Sequence, residues 1–449
     1  MPSARLFLLL GGVSLLFVGG LAVEPLAWTA LGVDGLLLAA FALDLLRARR
    51  QPLEAEREWP PLLAQGAAAA ITVRIDAPAG RALRLRLREA LHPALSAGPL
   101  RHELLLAPSD QARRARWQYS LLPRHRGEPE AGPLTARLLG PWGLAWSQRP
   151  LLPPEPRRVY PQVRWEGRVG HLLALAHRHQ LGSEPMHRIG VGSEPYALRD
   201  YRAGDPPSRI HWKATARHDR MITREETWER GARLVILLDT GRAMTSSDAG
   251  RSKLDHALAA ALALARVASG RGDRVTLVAF SHHVERSVRM TAGSRGLAAA
   301  YGALFDLEAR LTEPAYDLAA ETALALEPRH ATVVLFTSVA DLAAGELLRD
   351  SLLQLERRHR PLLVNLRDPD LETLARRPPT SPEEAFAQVS ALEILLANRR
   401  LARHLRRAGI RIVETPADRL ALDALESYLA LFRQRRGSGA RLSGTTRGV

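Results

Sequence analysis

Residues 233–244 read RLVILLDTGRAM, and the reading of that run decides the fold of most of this 449-residue chain. After Arg233 come five apolar residues without a break, Val235 and Ile236 β-branched among them, and then Asp239. An apolar run this short, closed by Thr240-Gly241, is a strand buried on both faces rather than on alternate residues. Downstream the pattern alternates. Strands are predicted at residues 274–280, 331–337, 362–366 and 410–414, and helices at 253–269, 342–358 and 382–407. Residues 284–290 fit an antiparallel edge strand. Strand–helix alternation builds an α/β doubly wound, Rossmann-like sheet with helices on both faces, here over residues 233–434. Ligands of such sheets bind at the carboxyl ends of the strands, so Asp239 stands on the edge where function is sought.

The run is fed by residues 196–226, YALRDYRAGDPPSRIHWKATARHDRMITREE. Asp205-Pro206-Pro207 reads as a helix start: an aspartate can cap free N–H groups and proline needs no partner for its nitrogen. Gly204 suits the turn before it. Ile210, Ala214 and Arg217 then share a helical face, and residues 221–227 look extended. The charges of Arg199, Asp205, Arg209 and Arg217 crowd around Tyr201 and Trp212, and burial would require them to pair with one another. A packed connector with no chemistry satisfies the same pattern.

The residues Gly190, Gly192, Glu194, Leu198, Arg199, Tyr201, Gly204, Asp205, Arg209, Ile210, Trp212, Ala216 and Arg217 form a spaced signature. It resembles that of a bacterial membrane-anchored family of unknown function that pairs with MoxR-type AAA+ ATPases and carries a von Willebrand A-like domain. His211 departs from the aspartate common there. The resemblance implies an adaptor or scaffold role in assembly or maturation, with an ATPase as partner and Arg199, Tyr201, Gly204, Asp205, Arg209, Trp212 and Arg217 as the partner-binding segment. It also implies a place for a divalent metal, held by D-x-S-x-S plus a later Thr and Asp. Hard cations such as Mg²⁺ need that oxygen set. Here Asp239 is kept, but Gly241 and Ala243 replace the serines. Tyr316 falls where the threonine belongs, and Ser338 where the aspartate does. Asp317 and Asp341 are the remaining candidates. The expectation is a degenerate site without metal.

The first 50 residues form a predicted transmembrane hairpin. Residues 6–23 carry no charge, and residues 26–46 carry only Asp34 and Asp44, so both approach the roughly 20 residues that span a bilayer. Arg5 precedes the pair and Arg47, Arg49 and Arg50 follow it, which places the bulk of the chain in the cytoplasm, on the inner membrane. A cleaved signal peptide is the competing reading. Asp34 in mid-membrane needs a partner or a proton.

From residue 62 to 150 the period is two: Ile71, Val73 and Ile75, then Leu83, Leu85 and Leu87, alternate with polar residues. Further strands are predicted at 102–106, 116–122 and 134–139, giving a small Ig-like β-sandwich. A polar hinge (51–61) and a proline-rich spacer (150–161) flank it, and residues 160–232 form the connector that carries the signature. The tail from residue 435, rich in Gly, Ser and Arg, is predicted to be disordered.

Net charge is +16, and there is no cysteine, so disulfides and thiolate metal sites are excluded. Of 63 basic residues only Lys213 and Lys253 are lysine. The charge is dispersed and no aromatic-interleaved basic motif accompanies it, so nucleic acid is not an expected partner. His171, His177 and His179 lack metal-ligand spacing, Gly190 and Gly192 do not open a dinucleotide loop, and no phosphate-cradling Gly-x-x-x-x-Gly-Lys loop exists. No nucleophile stands beside a base, so catalysis is not expected. The alternative is a metal-dependent hydrolase built on Asp239, Asp317 and Asp341, which requires those carboxylates to converge.

Overall fold

The computed structural model of the chain describes residues 1–20, 24–163, 170, 197–200, 212–218, 220–225, 232–248, 250–291, 294–339 and 342–438. They divide into two compact units, Met1–Gln162 and Val163–Val449.

The first unit opens with helices Ala4–Gly20 and Glu24–Arg50. Within the second, Trp28–Arg50 is long and apolar enough to cross a membrane; the apolar part of the first, Ala4–Val18, is shorter. Of the two expected spans, one therefore meets the length requirement among the described residues. Asp34 lies on it, with Oδ1 buried and without a hydrogen-bond partner among the described residues.

A β-sandwich follows. One sheet orders Glu54–Glu58, Ala69–Ala77, Arg113–Pro123 and Leu95–Ala97. The other orders Glu155–Pro156, Glu130–Leu139, Leu83–Leu91 and Arg101–Leu106, with Trp146–Leu152 beside Glu130–Leu139. Period-two alternation holds: Ile71, Val73, Ile75, Leu85, Leu87 and Leu121 are buried in one core while the arginines between them face out.

The sandwich is larger than its apolar pattern predicted. The expected hinge contains the strand Glu54–Glu58, paired with Ala69–Ala77. The expected spacer is paired too, Leu152 opposite Leu134, Glu155 opposite Ala131 and Val159 opposite Leu63. The reason is polar. Strand Glu54–Glu58 turns inward with Arg57, whose guanidinium meets the buried Glu89 carboxylate at 2.5 Å and the Gly132 carbonyl at 3.0 Å. Burial pushes the Glu89 carboxyl up, and the Arg57 charge pulls it back. Trp59 Nε1 then donates to Glu155 at 3.0 Å, tying hinge to spacer. An inward strand face carried by an ion pair leaves no hydrophobic period.

In the second unit a six-stranded sheet runs Val284–Met290, Arg274–Phe280, Arg233–Asp239, Thr332–Thr337, Arg360–Leu366, Arg411–Thr415. In chain order that is 3-2-1-4-5-6, parallel throughout except for the third strand, which is antiparallel at the edge. Alternate residues of the first strand serve opposite cores. Leu234, Ile236 and Leu238 pack under helices Lys253–Gly270, Ser294–Leu304 and Leu420–Ser438. Val235 and Leu237 pack under Tyr316–Leu326, Leu342–Glu356 and the end of Pro382–Arg407. The expected double winding is present. Helix Leu420–Ser438 runs four residues into the segment expected to be a disordered tail, which otherwise lies outside the described residues.

Candidate functional site

The order of the sheet reverses between its first and fourth strands, and such a switch point is where open α/β sheets bind ligands. Here the two strands end on Asp239 and Thr337. Instead of lining an open crevice, the two side chains bond to each other: Thr337 Oγ1 donates to Asp239 Oδ2 at 2.5 Å. Tyr316 Oη lies 3.3 Å from the same oxygen and 2.9 Å from Thr337 Oγ1, while the Gly241 N–H donates to Asp239 Oδ1 at 2.7 Å. Both carboxylate oxygens are thus engaged by protein donors, and Asp239 is wholly buried. Burial drives its pKa up from an ordinary 3.8 to about 6, against the pull of the Thr337, Gly241 and Tyr316 hydrogen bonds.

The loop above is packed shut. The Arg242 N–H donates to the Thr312 carbonyl at 2.9 Å, Arg310 N–H to Thr240 at 2.7 Å, and Ala315 N–H to Ser281 at 2.8 Å. A Cβ on Gly241 would meet Asp239 Oδ1, Pro314 Cδ and the Thr312 carbonyl, each at 3.0 Å. A serine there would need neighbouring backbone to shift, so the glycine is a fit to close approach and not merely a lost ligand. Beside it, Thr240 Oγ1 and Ser281 Oγ both donate to Glu285 Oε1 at 2.9 Å, and Arg310 reaches the same oxygen at 3.2 Å.

The position expected to supply the second aspartate is occupied by chemistry of the opposite sign. Lys253 Nζ is buried and donates to Ser338 Oγ at 3.1 Å and to Asp368 Oδ2 at 2.7 Å, linking three loops of the same edge. Burial alone would raise the Asp368 carboxyl, but the Lys253 bond and charge, with the Leu371 and Asp370 N–H groups, bring it below its ordinary value. Lys253 is the first residue of its helix, after the Ser252 cap, where the helix dipole disfavours a cation. Asp368 offsets that cost. Sequence reasoning passed over Lys253, although it is one of two lysines among 63 basic residues.

A divalent cation does not fit this donor set. Asp239 has no free oxygen, Gly241 has neither a hydroxyl nor room for one, Tyr316 fills the threonine position, and Ser338 faces an ammonium. Asp317 is exposed in the first turn of Tyr316–Leu326, and Asp341 lies outside the described residues. Among the described residues no three acidic or histidine side chains gather as a metal site.

Of the signature, Gly190, Gly192, Glu194, Tyr201, Gly204, Asp205, Arg209 and Ile210 lie outside the described residues. Leu198 and Arg199 lie on strand Ala197–Asp200, which pairs antiparallel with Ile222–Glu225 beyond the signature, Arg199 opposite Thr223. Helix Trp212–His218 lies between them, and Thr215 Oγ1 accepts the Ile222 N–H at 3.0 Å. Ala214 and Ile222 are buried. Trp212 is 67% exposed and Arg217 is exposed as well. Ala214 and Arg217 stand three residues apart on this helix, the first buried and the second exposed.

Three sets of similarities bear on identity. The family described as Protein of unknown function DUF58 matches residues 197–383, which take in the signature from Leu198 onward and the first five strands of the six-stranded sheet. Uncharacterized proteins of Mycobacterium tuberculosis and Mycobacterium bovis are 33% identical over 104 residues, 23% of this chain and 32% of theirs. The chain thus spans about a third of the length of the curated relatives it matches. Among solved structures, the CARDB domain of a Pyrococcus furiosus protein aligns with 24% of this chain and 93% of its own, at 13% identity and TM-score 0.16. Salmonella alpha-2-macroglobulin aligns over 24% of this chain and 7% of its own, at 20% identity and TM-score 0.19.

Proposed function

We propose that this chain is a membrane-anchored adaptor, with its bulk in the cytoplasm, whose degenerate von Willebrand A-like domain works beside a MoxR-type AAA+ ATPase in assembling or maturing other protein complexes. The observation that carries the reading is the sealed carboxyl edge. Asp239, at the switch point, is saturated by Thr337, Tyr316 and Gly241, and a tethered ammonium, Lys253, stands at the same edge. Such an edge offers surface rather than chemistry. The A-like assignment is supported by the 3-2-1-4-5-6 order with its antiparallel third strand.

Anchoring is supported by the apolar helix Trp28–Arg50 and the arginines that end it. It is further supported by the way that helix is built into the sandwich. Asp44 is fully buried and accepts the N–H groups of Trp142, Leu144 and Ala145 at 2.8, 2.8 and 3.0 Å. Ser3 Oγ, just before the first helix, donates to the Gly143 carbonyl at 2.6 Å. A leader made to be cut away has no use for such a joint.

The hydrolase reading has one observation in its favour, the raised pKa of Asp239, since perturbed carboxyls gather at catalytic sites. Burial explains that shift, and a substrate cannot reach a carboxylate with no exposed surface.

The partner claim is tested with the full chain in detergent micelles and a purified MoxR-type ATPase. Trp212→Ala and Arg217→Ala remove exposed side chains of types enriched at binding hot spots, so each is expected to weaken capture by about tenfold or more with the melting temperature unchanged. Absence of capture, or capture indifferent to both changes, would sink the ATPase partnership.

A further inference from the structure

Helix Pro382–Arg407 is fastened to the sheet along one side. Ala391, Ala402 and Leu405 are buried, Asn398 Nδ2 donates to the Val339 carbonyl at 3.3 Å, and Gln388 Nε2 bonds the Ala375 and Arg377 carbonyls at 3.2 and 3.0 Å. Its start is fixed by the Ser381 cap on the Glu384 N–H and by Pro382. The opposite side is bare. Phe386 is 78% exposed and Val389 53%, and Leu392 and Leu396 are exposed after them. At 100° per residue these four fall within one 120° stripe. Arg399, Arg400, Arg403 and Arg407 continue the same stripe, all exposed, and none forms an ion pair among the described residues. One fixed face is therefore mainly apolar, interrupted by the exposed Glu393, over its first ~15 Å and basic over its next ~12 Å. It lies almost wholly beyond residue 383, where the family match ends.

We propose that this face docks an amphipathic helix of another protein, with carboxylates at its N-terminal end and apolar residues after them, lying antiparallel to Pro382–Arg407. Carboxylates in a first helical turn are favoured by that helix's own dipole, and in this orientation they meet the four guanidinium groups while the apolar turns cover Phe386, Val389, Leu392 and Leu396. Other occupants fit less well. A second copy of the face sets arginine on arginine if parallel, and arginine on the apolar half if antiparallel. The chain's own last residues, 439–449, carry Arg441 and Arg447 and no carboxylate. A helix lying on a bilayer keeps its apolar stripe along its whole length, whereas this one stops after Leu396. The inference stands apart from the ATPase partnership, since it uses neither the signature nor the Asp239 edge.

The probe is a labelled synthetic peptide of about 20 residues, with glutamates in its first two turns and leucines at helical spacing in the next three. It is titrated by anisotropy into the full chain in micelles. Saturable binding in the micromolar range is expected. Phe386→Ser, and separately the triple change Arg399→Glu, Arg400→Glu, Arg403→Glu, should each weaken it by about tenfold or more with melting unchanged. A peptide with lysine in place of glutamate should prefer the triple variant. Should that variant fail to fold, Phe386→Ser together with loss of binding at high salt makes the same test. No saturable binding, or equal binding of a scrambled peptide, overturns the proposal. So does displacement of the peptide when the protein is moved from zwitterionic to anionic nanodiscs, which would assign the face to lipid.

Discussion

At the scale of single residues, Asp239 decides what the domain can do. Its folded pKa, about 6, lies above the ordinary 3.8. A raised carboxyl contributes stability that is fully present below the unfolded pKa and is lost as pH rises through the folded one. Two pKa units correspond to roughly 3 kcal/mol. Asp239→Asn keeps the shape and removes the charge, and the Thr337 and Tyr316 hydroxyls can turn to accept from the amide. Relative to wild type, the asparagine variant is therefore expected to gain roughly 3 kcal/mol between about pH 4 and pH 7.5 in denaturant titrations. A difference that stays flat with pH would show that the carboxylate is held for a purpose other than the one its burial implies. The sequence pointed to this residue because the carboxyl end of a buried strand is a fixed place. Lys253 and Asp368 escaped notice, since two residues 115 apart in the chain meet only through the topology of the sheet.

At the scale of elements, local periods were reliable and polar contacts between elements were not. Helix 382–407 was legible in full and the period-two strands in their centres, because apolar spacing alone produces them. Strand Glu54–Glu58 was not, because its inward residue is an arginine paired with Glu89. The joint between the second helix and the turn at residues 140–145 belongs to the same class. Asp44 looked like a flaw near the end of an apolar run, yet it terminates three buried N–H groups. Leaving such donors unsatisfied costs about 1–3 kcal/mol each. Asp44→Ala is thus expected to loosen the turn by several kcal/mol, visible as lower melting temperature and new proteolytic cuts near Trp142 in the full chain. Gly140→Ala should do the same, since its Cβ would clash with the Asp44 carboxylate at 2.4 Å. If both variants melt and resist protease like wild type, the joint is not a structural weld, and its support for a retained anchor falls with it.

At the scale of the whole molecule, the chain folds as two units with separate cores. An apolar helix built into a sandwich, and a doubly wound sheet whose switch point is closed, share one chain. The order of these parts was legible because each has its own period. The closure was legible only in part: the sequence showed Gly241 in place of a serine, but not that Thr312 and Pro314 crowd the position to 3.0 Å. At this edge both oxygens of Asp239 are held by internal hydrogen bonds, which leaves no open ligand for a cation. Calorimetric titration of Mg²⁺ and Mn²⁺ into the full chain in micelles tests it most directly. No site tighter than ~1 mM is expected. A micromolar site abolished by Asp239→Ala would contradict the account.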